Sequence, residues 1–496
     1  MHFRLILPLL ALCSFAYATE CTPDSFSVAL EDKVLWRTPL PNTGQGNPIV
    51  SKGRVFVTSH EPISQDSEFG TNILGMCFDA KTGKELWRRE IPGTRKTDLS
   101  SLFNDNTSYS PVADGERVVF CNVGGTVKCF DYEGKELWRH TWTPFGRHHA
   151  RAHEPFIHDG KVILVHAPVY DLPVEATTKA GAKPFGRDKK YWTYMLAYDI
   201  RTGKLAWKAE CGTGIHSASK LGQLPDGKFA ILTGRGGGHQ PPEEPYGISF
   251  VDASNGKEIW EAPIDKYPGQ QNVVWAGEAA HYFKGMAHTT VDIANGQSQR
   301  TVSLSEGVTV TSWQDGKYVT ADDQTLQSNN KKGKGRRPLT YFSNLIVGPY
   351  HYFRSGEGHF IGRVHLQTGK VEYLQVPVQA VRKPGQDEEL LWDKHIPNDM
   401  RNSGGFLATQ DKRNKGSGWG HVSGAAPITV GSKIFFPTMA GTVYVLNWKA
   451  EKLDGQALLS VSDLGPAGET WSLSSLAESN GRLYARTLKE LVCIGE

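Results

Sequence analysis

The 496-residue chain has no adjacent cysteine pair, no CxxC, no CxxCH and no HExxH. Those gaps exclude c-type haem attachment, a thioredoxin-like redox motif and a local zinc-protease helix. Beyond the N-terminus no segment approaches the ~18 consecutive apolar residues of a membrane-spanning helix. A dominant charge is also missing, since 55 Lys+Arg stand against 52 Asp+Glu for a net charge of +3. Neither a nucleic-acid-wrapping field nor an acidic solvated coil is compatible with that balance. With 39% hydrophobic and 22% charged residues the chain can bury an ordinary globular core.

Glycine and tryptophan are plentiful, at 53 and 13 residues, which favours many short strands joined by turns. Residues 1–18 read as a signal peptide: Arg4, an apolar stretch from Leu5 to Phe15, then Ala16-Tyr17-Ala18 as a small-x-small cleavage pattern. Leu12 before Cys13 stands where lipoprotein processing expects a small side chain, which argues against a lipid anchor. The expectation is an exported protein, periplasmic or extracellular. Cleavage after Ala18 leaves Cys21, Cys77, Cys121, Cys129, Cys211 and Cys493. Disulfides are permitted in that compartment, and a Cys21–Cys493 bridge would join the chain ends.

One phrase recurs along the chain. It reads CFDAKTGKELW at Cys77–Trp87, CFDYEGKELW at Cys129–Trp138, AYDIRTGKLAW at Ala197–Trp207 and FVDASNGKEIW at Phe250–Trp260. Weaker copies lie at Val291–Val302, Val364–Leu374 and Tyr444–Leu459. The Gly-Lys step suits a tight turn with glycine at positive φ, and each Trp suits packing between neighbouring repeats. Cys77 and Cys129 hold equivalent positions and read as small core residues.

Two further strand signals precede each phrase, so each repeat predicts a four-stranded antiparallel blade. Blades begin at Asn47, Ser108, His153, His216, Asn272, Thr340, His421 and Trp471. Residues 305–339 fit poorly and are expected to hold an insertion or a distorted blade. The last repeat lacks its Trp strand, but DKVLWRTPL at Asp32–Leu40 supplies one from the front. The expected fold is an all-β, eight-bladed β-propeller closed by pairing of the N-terminal strand with the C-terminal blade. The organisation is a signal peptide over 1–18, an N-terminal extension over 19–31 and the propeller domain over 32–496.

With these phrases the chain resembles the quinoprotein-type, or PQQ-like, eight-bladed propeller family over about residues 30–496. The resemblance implies the fold. It leaves function open, because the family holds pyrroloquinoline-quinone dehydrogenases as well as cofactor-free scaffolds such as the outer-membrane assembly lipoprotein. Its dehydrogenases carry an adjacent-cysteine ring over the quinone, which this chain lacks, so PQQ is a doubtful cofactor.

Strand order sorts the loops by face. The A–B and C–D turns are short, whereas the B–C and D–A loops are long, and long loops on a rigid scaffold carry binding. The long-loop rim collects histidines, among them His60, His288 and His359, against His158 alone on the opposite rim. His153, His216 and His421 open inner strands, and His239 follows a glycine run. These four are the candidate catalytic residues, as general acids and bases. His153, His216 and His239 are also candidate ligands for a divalent metal. Arg235 is a candidate anion holder, and Trp275, Trp419 and Trp471 are candidate stacking surfaces for a sugar or quinone. Glu154, Glu243, Glu244 and Glu278 could act as carboxylate partners.

The expected function is a rim-face enzyme of hydrolase or lyase type acting on a polar small molecule or carbohydrate. The alternatives are a non-enzymatic scaffold for an envelope protein partner and a PQQ-dependent dehydrogenase. Neither a nucleic-acid partner nor a transmembrane segment is expected.

Overall fold

A computed structural model describes residues 22–61, 72–94, 106–142, 154–166, 194–212, 218–235, 246–265, 273–326, 340–355, 359–401, 407 and 425–496. Each repeat phrase forms the third and fourth strands of an antiparallel sheet. In blade one the strands are Ile49–Ser51, Arg54–His60, Ile73–Asp79 and Glu85–Ile91, paired in that order from the axis outward. Blades two to seven begin at Val112, Phe156, Lys220, Val274, Thr340 and Ile428. Blade eight holds Ala477–Ser479, Arg482–Arg486 and Glu490–Ile494, and its outer strand is Val34–Pro39, antiparallel to Glu490–Ile494. The fold is therefore the eight-bladed propeller expected, with the ring closed from the N-terminus.

The turn chemistry repeats. Asp79 Oδ1 accepts the Lys81 and Thr82 backbone N–H groups and the Thr82 hydroxyl, and Gly83 follows at φ +71°. Those bonds hold the Asp79 carboxyl below its ordinary range, the Thr82 hydroxyl being the largest contributor. The glycine serves a second purpose: a Cβ on Gly83 would lie 2.5 Å from the Trp36 ring. The same approach brings Gly134 to Trp87, Gly203 to Trp138, Gly256 to Trp207 and Gly296 to Trp260.

Each Trp thus leaves its own outer strand and covers the next blade's turn. Trp36 Nε1 donates to Ala80 O (3.1 Å), Trp87 to Tyr132 O (2.8 Å), Trp138 to Ile200 O (2.8 Å) and Trp260 to Ile293 O (2.8 Å). Between blades five and six the pattern is kept with other residues. Arg300 stands at the Trp position and donates to Leu366 O and Gln367 O, while His365 stands at the Asp position and its Nδ1 accepts the Gln367 and Thr368 N–H groups. His365 accordingly joins His158 on the short-turn rim.

Residues 305–339 do hold an insertion. Val308–Gln314 and Lys317–Gln324 form a hairpin, and Val308–Gln314 pairs in parallel with the outer strand Val371–Gln375 of blade six, making a six-stranded sheet. The segment before the closing strand is also integrated: Phe26 and Val28 are buried in the core between blades seven and eight. Asp463 accepts Ser27 Oγ (2.7 Å), Ala29 N (2.9 Å) and Arg382 Nη1 (2.8 Å) there.

Candidate functional site

The inner strands converge on the axis, and where their D–A connections arrive they are laced together. Ser475 N donates to Asn47 Oδ1 (2.6 Å), Asn47 N to Ser110 Oγ (2.8 Å) and Asn47 Nδ2 to Glu154 Oε1 (3.3 Å). Ser110 N completes the grip on the carboxylate at Glu154 Oε2 (2.7 Å). One polar chain therefore runs from blade eight through blades one and two to blade three. On blade four, Lys220 follows. Burial pulls its ammonium pKa below the ordinary lysine value, and the Glu154 charge opposes that shift. A carboxylate held by two donors, with an amine drawn toward neutrality at the start of the next inner strand, is a combination suited to proton transfer.

A cavity of about 310 Å³ continues along the channel wall from Lys220. Trp275, Gln223 and Asn344 contribute to its lining from blades five, four and six. Trp275 is half-buried, with its Nε1 on Gly277 O (2.7 Å) and its ring edge-on to Phe250. It thus leans toward the short-turn rim, as does exposed Glu278 beside it.

The other sequence candidates divide clearly. Arg235 is fully buried at the end of its strand, donating to Ile248 O and Ser249 Oγ (both 2.7 Å), with Glu261 Oε2 at 3.8 Å. Trp471 has no exposed surface and packs with Met439, Leu473 and Leu488. His153, His216, His239, His421, Trp419, Glu243 and Glu244 lie outside the described residues, as do the signal peptide and Cys21. Among the described residues no group of three or more His, Cys, Asp or Glu side chains is placed to hold a metal ion. Cys77, Cys121, Cys129, Cys211 and Cys493 are buried and unbridged, and burial pushes the Cys77 and Cys129 thiols up to about 12.

Sequence reasoning missed an imidazole chain behind the cavity. His288 Nε2 faces His351 Nδ1 at 3.0 Å, and His351 Nε2 faces Asn344 Oδ1 at 3.0 Å. His281 stacks on His288 at 5.3 Å and bonds Thr290 Oγ1 through Nδ1 (3.2 Å). Burial drives all three toward neutrality, His281 to about 4 and His288 to about 3, with His351 well below its ordinary value. His288 was expected on the rim, yet it faces blade six. The alternation of His281 and Phe283 with His288 and Thr290 across one hairpin is the sequence signal for this placement.

Comparison with known proteins places these features. The family model described as outer membrane protein assembly factor BamB matches residues 72–392. Among solved structures, BamB from Moraxella catarrhalis is 13% identical, with 93% of this chain and 96% of that chain covered, at a TM-score of 0.48. The quinohemoprotein alcohol dehydrogenase from Comamonas testosteroni is 13% identical over 93% and 76%, at 0.49. The computationally designed Ika8 protein is 12% identical over 93% and 99%, at 0.50. Similarity at this level concerns the fold. No curated protein sequence matches the chain.

Proposed function

The chain belongs to the PQQ-like propeller family whose model bears the description outer membrane protein assembly factor BamB, and on that footing we propose an exported protein that binds a polar small molecule or carbohydrate at the axial mouth of its long-loop rim. It acts there by acid–base chemistry of hydrolase or lyase type. The observation that carries this reading is the Glu154 carboxylate, held by Ser110 N and Asn47 Nδ2 at the axial mouth, with Lys220 opening the inner strand of the next blade. An amine drawn toward neutrality by burial can accept a proton. In the sequence His153 directly precedes Glu154, and His216 stands four residues before Lys220. With His239 and His421 they supply the imidazoles of this proposal. Trp419 belongs to its substrate side, and Trp275 offers a stacking face along the channel, whereas Arg235, fully buried on Ile248 O and Ser249 Oγ, braces the strand end behind it. In a metal-assisted version His153, His216 and His239 would hold the ion.

A quinone fits these residues poorly. The described cysteines are dispersed through blade cores, and no two cysteines adjoin in the sequence, so an adjacent-cysteine ring cannot form. A scaffold for an envelope protein is the second reading, supported by the description of the matching family model.

Screening the purified protein against glycoside, ester and uronate substrates tests the first reading, with Glu154→Gln and Lys220→Met as controls. The expected result is a turnover lost at least about a hundredfold in either variant. Turnover unchanged in both would overturn the assignment to Glu154 and Lys220, and no turnover on any substrate together with capture of a defined envelope protein would favour the scaffold.

A further inference from the structure

We propose that the open edge of the hairpin strand Lys317–Gln324 docks an extended, positively charged segment of a protein partner as an additional strand of blade six. This strand ends the six-stranded sheet, and no strand among the described residues pairs with its outer side. The hairpin turns through Asp315 (φ +48°) and Gly316 (φ +83°), a type I′ turn that matches strand twist. Pairing then follows from Gln314 opposite Lys317 and Ser312 opposite Val319. In an antiparallel ladder alternate residues bond inward, so Tyr318 and Thr320 turn their backbone N–H and C=O groups outward. An added strand uses such groups for affinity and the neighbouring side chains for selection.

Those side chains form a platform. Trp313 and Trp392 stack with centroids 4.7 Å apart and planes at 5°, and Tyr318 stands edge-on to Trp313 at 5.0 Å. Trp392 arrives from a second excursion of the chain, after the small hairpin Gln379–Val381 with Glu389–Leu391. Neither hairpin closes the ring, and together they leave Leu390 exposed beside the half-buried indoles. Around the edge Asp315, Asp322, Asp323 and Asp393 are exposed, against Lys317 and Lys394. The outer strands of blades one and two differ in that their charges are balanced, Arg88 lying against Glu85 and Arg139 against Glu136 beside their exposed leucines. Exposed acids alone would serve to discourage pairing. Acids combined with an aromatic platform instead favour a strand that alternates cationic and apolar residues.

The test uses the full mature protein and two acetylated octapeptides, one alternating lysine and valine and the other glutamate and valine. The lysine peptide is expected to bind, quench tryptophan fluorescence and protect the Tyr318 and Thr320 amides from hydrogen exchange. Thr320→Pro, which removes an outward N–H and leaves the inward ladder, is expected to weaken binding about tenfold. Asp322→Lys, which balances the charges around the edge, is expected to abolish the preference between the peptides and covers the case in which the proline variant fails to fold. Equal binding of both peptides, no binding, or binding indifferent to both substitutions would overturn the proposal. So would a dimer in sedimentation that Thr320→Pro dissolves, since the occupant would then be a second copy.

Discussion

Trp138 and Trp207 hold the same repeat position but differ in their polar tips. Trp138 Nε1 donates to Ile200 O, whereas Trp207 Nε1 has no hydrogen-bond partner among the described residues. Replacing either with Phe removes similar apolar area, but only Trp138→Phe strips a partner from a carbonyl. Trp138→Phe is therefore expected to cost about 1 kcal/mol more than Trp207→Phe, read from urea midpoints at constant m-value. A Gly203→Ala substitution should cost more than an ordinary surface change, because φ is +70° and the new Cβ would lie 2.7 Å from Trp138. We expect a loss of about 1–3 kcal/mol by the same measurement. The repeated Trp-to-turn packing was legible from the D-x-x-T-G-K-x-x-W spacing. The replacement pair Arg300 and His365 was not, because neither residue type announces that it can supply the same hydrogen bonds.

At the scale of strands and blades, the buried histidines between blades five and six set an acid limit. Their surroundings offer little to stabilise a proton: Arg300 repels charge on His281 and His288, and Thr290 and Asn344 are neutral partners. Each folded-state pKa lies below the unfolded value, so below about pH 6.5 the unfolded chain binds more protons. Stability is thus complete above that pH and falls as the pH drops toward 4. Urea midpoints from pH 7 to 4.5 should show the decline, and His288→Gln with His351→Gln should flatten it. A midpoint constant across that range would contradict the buried neutral chain. The insertion hairpin was anticipated as an insertion or a distorted blade at residues 305–339, without its partner. Its parallel pairing onto blade six depends on Val371–Gln375, far enough along the chain that local pattern could not reveal it.

Over the whole molecule, the ring closes through contacts between its ends. Leu40 N donates to Lys489 O (2.7 Å), Gly495 N to Lys33 O (2.9 Å), and Arg37 bridges Glu31 and Glu490 (both 2.6 Å). Ionic contacts this exposed contribute little singly, so the paired strand and its buried neighbours carry the closure. Removing residues 19–40 would expose the edge of Glu490–Ile494 and the core around Tyr484 and Leu491. The truncated chain is expected to aggregate or unfold several degrees earlier, as followed by light scattering during a thermal ramp.

The number of blades, their strand order, the closure by Asp32–Leu40 and the unequal rims were all determined by the sequence. They rest on local rules: alternation, turn chemistry and a repeated Trp. The lacing of Asn47, Ser110, Glu154 and Ser475 around the axis was decided by tertiary structure. So were the placement of Lys220 at the channel cavity, the alignment of His288, His351 and Asn344 and the stack of Trp313 on Trp392. Each joins residues from different blades or excursions, and burial, not residue type, sets their protonation and reach. A lysine or histidine reads the same in sequence whether water or a neighbouring blade surrounds it. Only the assembled ring determines which.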